Sequence, residues 1–365
     1  MPKNIAICCD GTANEFSEDQ TNIVKLFFTL AQDPQEQIAF YHPGVGTMEP
    51  PGSLTPLHRR LTRLLGQAIG AGIEHDIRDA YIYLMRSFEP GDKVFLFGFS
   101  RGAYTARALA AVLHKYGLMP PGNEPLVPYA IRMLIGIHRA RGGTREINRL
   151  FQLADEFKES FSPTPCTTHF MGIWDTVSSV GWIGSPVKLP YIADNAEIAI
   201  GRHAVAIDER RAFFRSNLWH PKTDGGPKDI KQVWFPGVHC DVGGGYEESE
   251  SGLSKLSLEW MIKEAKAAGL LVDPDKEAEI LGRNGKPYAR PDPQAKMHES
   301  LTPAWWLAEI IPKPHWNWAK KKEGRRPNLF RRRTIPSGAL VHQSAFDRHN
   351  GYSSRLPKDV VPEPY

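Results

Sequence analysis

No apolar run in this 365-residue chain reaches the ~18 residues that a membrane-spanning helix needs, so a spanning helix is not expected. The opening Met1-Pro2-Lys3-Asn4 has no signal-peptide pattern and leads straight into a strand-like run. Cysteine is scarce: Cys8, Cys9, Cys166 and Cys240 have no metal-like spacing, and an adjacent pair such as Cys8-Cys9 rarely bridges. Neither a disulfide framework nor a metal site is expected, and the thiols read as reduced core residues of a protein made in the cytoplasm. No cofactor is implied. A net charge of +4 is too mild to imply a nucleic-acid partner, and no internal repeat points to a solenoid.

What is present is ordinary for a soluble globular protein, with 41% hydrophobic and 24% charged residues. The length suits one large α/β domain with insertions, or two domains, and the 30 prolines and 32 glycines imply many loops.

The chemistry centres on residues 92–107, DKVFLFGFSRGAYTAR. Val94 to Phe97 is an apolar run of strand length, Gly98-Phe99-Ser100-Arg101-Gly102 follows, and Ala103, Ala106, Ala110 and Leu113 recur at helical spacing. A strand, a tight turn and a helix meeting at a serine are the context of a G-x-S-x-G nucleophile elbow. The turn strains the serine backbone and presses the flanking glycines against neighbouring backbone, where a Cβ does not fit. The blander reading is a βα turn with small residues for close packing.

Before the elbow, residues 4–9 read as a buried strand running into Asp10-Gly11-Thr12. Fewer than a hundred residues precede the elbow, so this strand is expected in the third position of the hydrolase sheet, where the following loop supplies half of an oxyanion hole. Gly11 or Thr12 is the backbone donor expected there, with Arg101 supplying the other half. Asp10 is expected to hold the loop. Helices are expected over 21–30 and 69–88 and a strand over 37–41, with a Pro- and Gly-rich loop from His42 to about Leu57 near the elbow.

After the elbow, helices over 129–141 and 146–160 form a candidate cap. Residues 168–174 read as a strand ending in Asp175, the place of a triad acid. Asp208 is the alternative acid, on a run (203–211) ambiguous between strand and helix. Residues 230–235 read as the last clear strand. His239 follows on a glycine-rich loop and completes the order Ser, Asp, His. It is expected to act as base, with Asp241 holding the loop.

IAICCDGTANE, GFSRGAYTAR, GIWDTVSSVG and PGVHCDVGGGY, with HQSAFDRHNGY near the end, together resemble the α/β-hydrolase catalytic domain of the type VI secretion phospholipase effectors. The resemblance implies a Ser-Asp-His esterase acting on lipids, with Ser100, Asp175 and His239 at the nucleophile, acid and base positions. A non-classical secretion route, and an inhibitor or immunity protein as partner, enter through the same resemblance. The resemblance does not extend to the long membrane-associating C-terminal region of the large effectors, which is not expected here.

The expected fold is thus an α/β-hydrolase-like three-layer sandwich: a single domain over residues 1–365, a mainly parallel sheet, a cap insertion at 118–165, and a peripheral lid or basic segment at 271–335. Residues 302–311 are short and aromatic, fit either to line a lipid entrance or to pack on the body. Residues 313–333 carry nine basic residues, one acid and interleaved aromatics, a composition suited to an anionic membrane surface and peripheral association. The expected function is a serine esterase or lipase hydrolysing carboxylic esters through an acyl-enzyme. The alternative is a non-catalytic hydrolase fold that binds a lipid or a protein partner.

Overall fold

The structure, a computed structural model, describes residues 2–11, 19–44, 71–139, 143–162, 164–177, 181–182, 185–186, 189–212, 214–219, 229–285, 287–302, 306–310, 312–317 and 322–365. Its central strands are β1 (Asn4–Cys9), β2 (Gln37–His42), β3 (Lys93–Phe99), β4 (Thr168–Trp174), β5 (Ile198–Ala206), β6 (Asp229–Phe235), β7 (Leu340–His342) and β8 (Val361–Glu363). They form one eight-stranded sheet in the order β8-β7-β6-β5-β4-β3-β1-β2. Every pairing in it is parallel.

Alternate residues of the central strands enter two different cores. In β1, Ile5 and Ile7 belong to one cluster and Ala6 and Cys8 to the other; β3 divides Val94 and Leu96 from Phe95 and Phe97 in the same way. The period of two along a strand therefore demands apolar residues at every position once both faces are covered, which is why these strands read as unbroken hydrophobic runs. Phe95 and Phe97 have no exposed surface, and each such burial contributes about 1.5–3 kcal/mol.

The helices that cover the faces are α1 (Asn22–Thr29), α2 (Ala71–Ser87), α3 (Arg101–Tyr116), α4 (Val127–Arg139), α5 (Gly143–Phe161), α6 (His239–Gly243) and α7 (Gly252–Ala267). Residues of α2 to α5 fill the first core and those of α1 and α7 the second, giving three layers. Alanines let α3 lie close to the sheet, and Gly117 (φ 68°) ends it by donating its N–H to Leu113 O at 2.9 Å. Helix α5 packs on the end of α3 remote from Ser100, where Phe157 meets Tyr116 with ring centroids 5.8 Å apart.

The opening strand lies beside the elbow strand with β2 outside it. Residues 230–235 are not the last strand, however. Strands β7 and β8, three residues each, extend the sheet, too short to carry a periodic signal. A third core, including Val205, Trp234, Val341 and Tyr352, fixes that edge.

Candidate active site

Parallel strands deliver their C-terminal ends to one edge, where α/β sites form. Ser100 follows β3, Asp175 follows β4, and Asp208 and His239 follow β5 and β6 within a few residues. Ser100 has φ 57° and ψ −116°, a strained turn for a residue with a side chain. A Cβ on Gly98 would lie 2.5 Å from Gly102 O, and one on Gly102 2.1 Å from Cys9 O, so both flanking positions require glycine. Ser100 N–H donates to Trp174 O at 3.1 Å, which couples the elbow to the residue preceding Asp175.

Asp175 is fully buried, with φ 38°. His239 Nδ1 donates to its Oδ2 at 2.6 Å, and Ala206 N–H donates to Oδ1 at 3.0 Å. This tautomer leaves His239 Nε2 as an acceptor on the opposite edge of the ring. The ring lies against Phe99, next to Ser100, at 4.6 Å between centroids, and against Phe214 at 4.7 Å. A Cβ on Gly243 would collide with the Phe99 ring, so glycine there lets α6 bring His239 to the elbow. His239 is the buried first residue of this one-turn helix; it does not ride on a flexible loop. Burial lowers its pKa, and Asp175 opposes that shift. Burial alone would raise the Asp175 carboxyl, but Arg333 and His239 hold it well below the usual carboxylate range.

Asp208 takes a different place. Its Oδ2 accepts Gly237 N–H at 2.9 Å and the Tyr352 hydroxyl at 2.5 Å, and its own N–H donates to Gly237 O at 2.9 Å. It therefore holds the turn that leads into α6, while Asp175 holds the His239 ring. Asp241 accepts Val238 N–H at 3.0 Å and His298 Nδ1 at 2.6 Å, in keeping with a loop-holding role.

The residues expected as oxyanion donors divide. Arg101 is the first residue of α3, with its backbone N–H at the positive end of the helix dipole. Gly11 departs from the expectation: its N–H donates to Asp10 Oδ1 at 2.6 Å, so in this arrangement it closes the turn. Asp10 also accepts Thr21 Oγ1 at 2.8 Å and the Tyr41 hydroxyl at 2.9 Å, and thus holds the loop. Thr12 lies outside the described residues.

Two residues of the site carry no signal in the sequence. Glu209, almost fully buried, accepts His239 N–H at 3.2 Å and pairs with Arg211 Nη2 at 2.9 Å. Arg211 stacks on Phe214 at 3.5 Å, so Glu209 anchors both the start of α6 and the aromatic wall of His239. Arg211 pulls the Glu209 carboxyl down to about 2 although burial opposes it. Arg333 belongs to the basic segment expected to act outside the site, yet its side chain is 6% exposed and ion-paired with Asp175. Within that segment, Trp318, Lys320 and Lys321 lie outside the described residues.

His42, His75 and Asp76 have the donor types of a metal site, their ligand atoms lying within 4.8 Å of one another. Gly44 N–H donates to His42 Nδ1 at 3.2 Å, so Nε2 carries the ring proton and faces Asp79 at 3.7 Å and Asp76 at 3.9 Å. A metal on Nε2 would need the proton on Nδ1 instead, so the protonation that the Gly44 bond sets for His42 does not suit an ion there.

The family model "T6SS, Phospholipase effector Tle1-like, catalytic domain" matches residues 3–264. A Saccharomyces cerevisiae protein, "Uncharacterized protein YEL023C", is 36% identical over 227 residues, which are 60% of this chain and 33% of the yeast protein. The chain thus matches about a third of that relative's length. A crystal structure of an uncharacterized Pseudomonas aeruginosa protein aligns with a TM-score of 0.45 at 18% identity, over 76% of this chain and 47% of that one. The Tle1 effector bound to the VgrG spike of the type 6 secretion system aligns with a TM-score of 0.38 at 20% identity, over 69% and 52%. With the family model covering well over half of its length, the chain belongs to the Tle1-like phospholipase effector catalytic-domain family of the type VI secretion system.

Proposed function

We propose that the protein is a serine hydrolase cleaving carboxylic esters of lipids, with Ser100 as nucleophile, His239 as base and Asp175 as the acid that orients it. The observation that carries this reading is the 2.6 Å bond from buried His239 to buried Asp175, beside a serine held at φ 57° between two obligatory glycines. Nε2 of His239 takes the Ser100 proton as Oγ attacks the ester carbonyl, and returns it to the departing alcohol. Water then attacks the acyl-enzyme with the same histidine as base. The imidazolium formed in each step is stabilised by Asp175. Arg101 N–H and the α3 dipole oppose the negative charge on the tetrahedral oxygen. Lipid as the substrate class is supported by the family.

A fluorophosphonate probe should label the wild type at Ser100 and leave Ser100→Ala unlabelled. On a p-nitrophenyl ester, Ser100→Ala and His239→Ala should each lose on the order of 10³-fold or more in kcat, with the double variant little worse. Asp175→Asn should cost far more than Asp208→Asn, because only the residue bonded to Nδ1 sets the tautomer. Absence of labelling in the wild type would return the protein to a lipid- or protein-binding module. A larger loss in Asp208→Asn would move the acid.

A further inference from the structure

Arg333 lies 158 residues from Asp175 in sequence and beyond residues 3–264, the stretch that the family model matches. Its guanidinium forks onto the carboxylate: Nη1 donates to Oδ1, and Nη2 to Oδ2 at 3.0 Å. The remaining donor capacity is also used, Nη1 on Ala206 O at 3.1 Å, and Nε at 3.1 Å and Nη2 on Phe214 O. Asp175 in turn receives four bonds, from Arg333 twice, from Ala206 N–H and from His239. That saturates a carboxylate, so it cannot rotate without breaking several charge-assisted bonds. Phe214, whose carbonyl Arg333 holds, puts its ring on His239. One side chain therefore fixes both the acid and one wall of the base. Neighbouring Arg331 and Arg332 are exposed, so this is a property of position 333 and not of the basic run.

We infer that Arg333 is a positioning residue of this site: it orients Asp175 toward His239 Nδ1 and offsets part of the negative charge that Asp175 presents to the imidazole. The inference rests on the reading of Ser100, His239 and Asp175 as a triad. Two separable effects follow. Orientation depends on the planar fork, which a lysine ammonium cannot reproduce against two carboxylate oxygens and two carbonyls. Charge offset depends only on the positive charge. The charged groups that act on His239 include Asp175, Arg211 and Glu209, with Cys240 and the buried Asp241 beside it on α6. An Arg333 variant leaves each of these residues in place, but it removes the positive charge that acts on Asp175 and on Glu209.

The test separates the effects. Arg333→Met should lower kcat on a soluble short-chain ester on the order of 10–100-fold with KM little changed, as expected for a misplaced catalytic group. It should also raise the pH at which His239 deprotonates by about one unit, since an uncompensated Asp175 holds the imidazolium more tightly. That titration is read by NMR in a Ser100→Ala background, independently of turnover. Arg333→Lys keeps the charge and loses the fork, so kcat should fall while the titration stays near wild type. Added guanidinium should restore part of kcat in Arg333→Ala. A wild-type rate and titration in Arg333→Met would overturn the inference. If that variant does not fold, a wild-type kcat in Arg333→Lys overturns it. Failure of the wild type to label at Ser100 would remove the triad reading and this inference together; normal labelling with an unaffected Arg333→Met removes this inference alone.

Discussion

Gly102 faces Cys9 so closely that a Cβ on it would lie 2.1 Å from the Cys9 carbonyl oxygen. Helix α3 thus rests directly on the end of β1, where Asp10 holds its turn. Gly102→Ala must push one of these apart, and overpacking of this kind costs about 1–3 kcal/mol or more. Gly136, inside α4, has nothing within 4 Å of its Cβ position, so Gly136→Ala should instead stabilise by about 0.5–1 kcal/mol. Urea midpoints measure both. An unchanged midpoint in Gly102→Ala would mean that the contact yields freely.

Glu209 sets part of the acid stability. Its folded pKa of about 2 lies below the ordinary value. Between roughly pH 4.3 and 2 the unfolded chain therefore binds a proton that the folded protein does not. The stabilisation is present above that window, amounts to about 3 kcal/mol at most, and is lost as the pH falls through it. Asp175, depressed more strongly, acts with the same sign. Urea unfolding at about pH 5 and about pH 3 should show a smaller drop for Glu209→Gln than for wild type. Equal drops would assign the acid sensitivity to other carboxylates.

How much of this was legible follows from how local each signal is. The elbow, the strand before it and Asp175 at the next strand end rest on contiguous residues, and their pattern carries them. His239 was findable from its order after the last long strand, but not its helix, which has only five residues. For the expected donor Gly11, a backbone N–H gives no sign in sequence that its neighbour's carboxylate will bind it. Glu209 and Arg333 stood in ordinary charged runs. Only the fold brings the one under His239 and the other onto Asp175, and no spacing encodes an encounter across 158 residues.

Apart from Arg333, residues 328–330 of the basic segment meet Glu309 of residues 306–310. Glu309 is buried and accepts Ala212 N–H at 2.6 Å and Phe330 N–H at 3.1 Å, which pins residues 306–310 to the body. Trp306, Ile310, Leu329 and Phe330 are left exposed, with the exposed Arg325, Arg326 and Arg331 in the same stretch of chain. If this surface docks on anionic lipid, Arg325, Arg326 and Arg331 changed to Gln should weaken vesicle binding by about 1 kcal/mol per residue at low salt and far less at high salt. Trp306→Ala with Phe330→Ala should weaken it at both. Turnover of a soluble ester should stay at the wild-type level in each. Unchanged vesicle binding would make the stretch a solvated loop.

The late strands β7 and β8 cover the outer edge of β6, and Glu363 of β8 accepts Lys231 Nζ at 3.0 Å and Trp260 Nε1 at 3.4 Å. The end of the family-model match, at residue 264, is therefore not a limit of the folded unit. A fragment ending there would keep Ser100, Asp175 and His239 but bare the hydrogen-bonding groups of β6 and the side chain of Trp234. An unpaired, apolar strand edge of that kind recruits other chains, so such a fragment is set up to aggregate before it can be assayed.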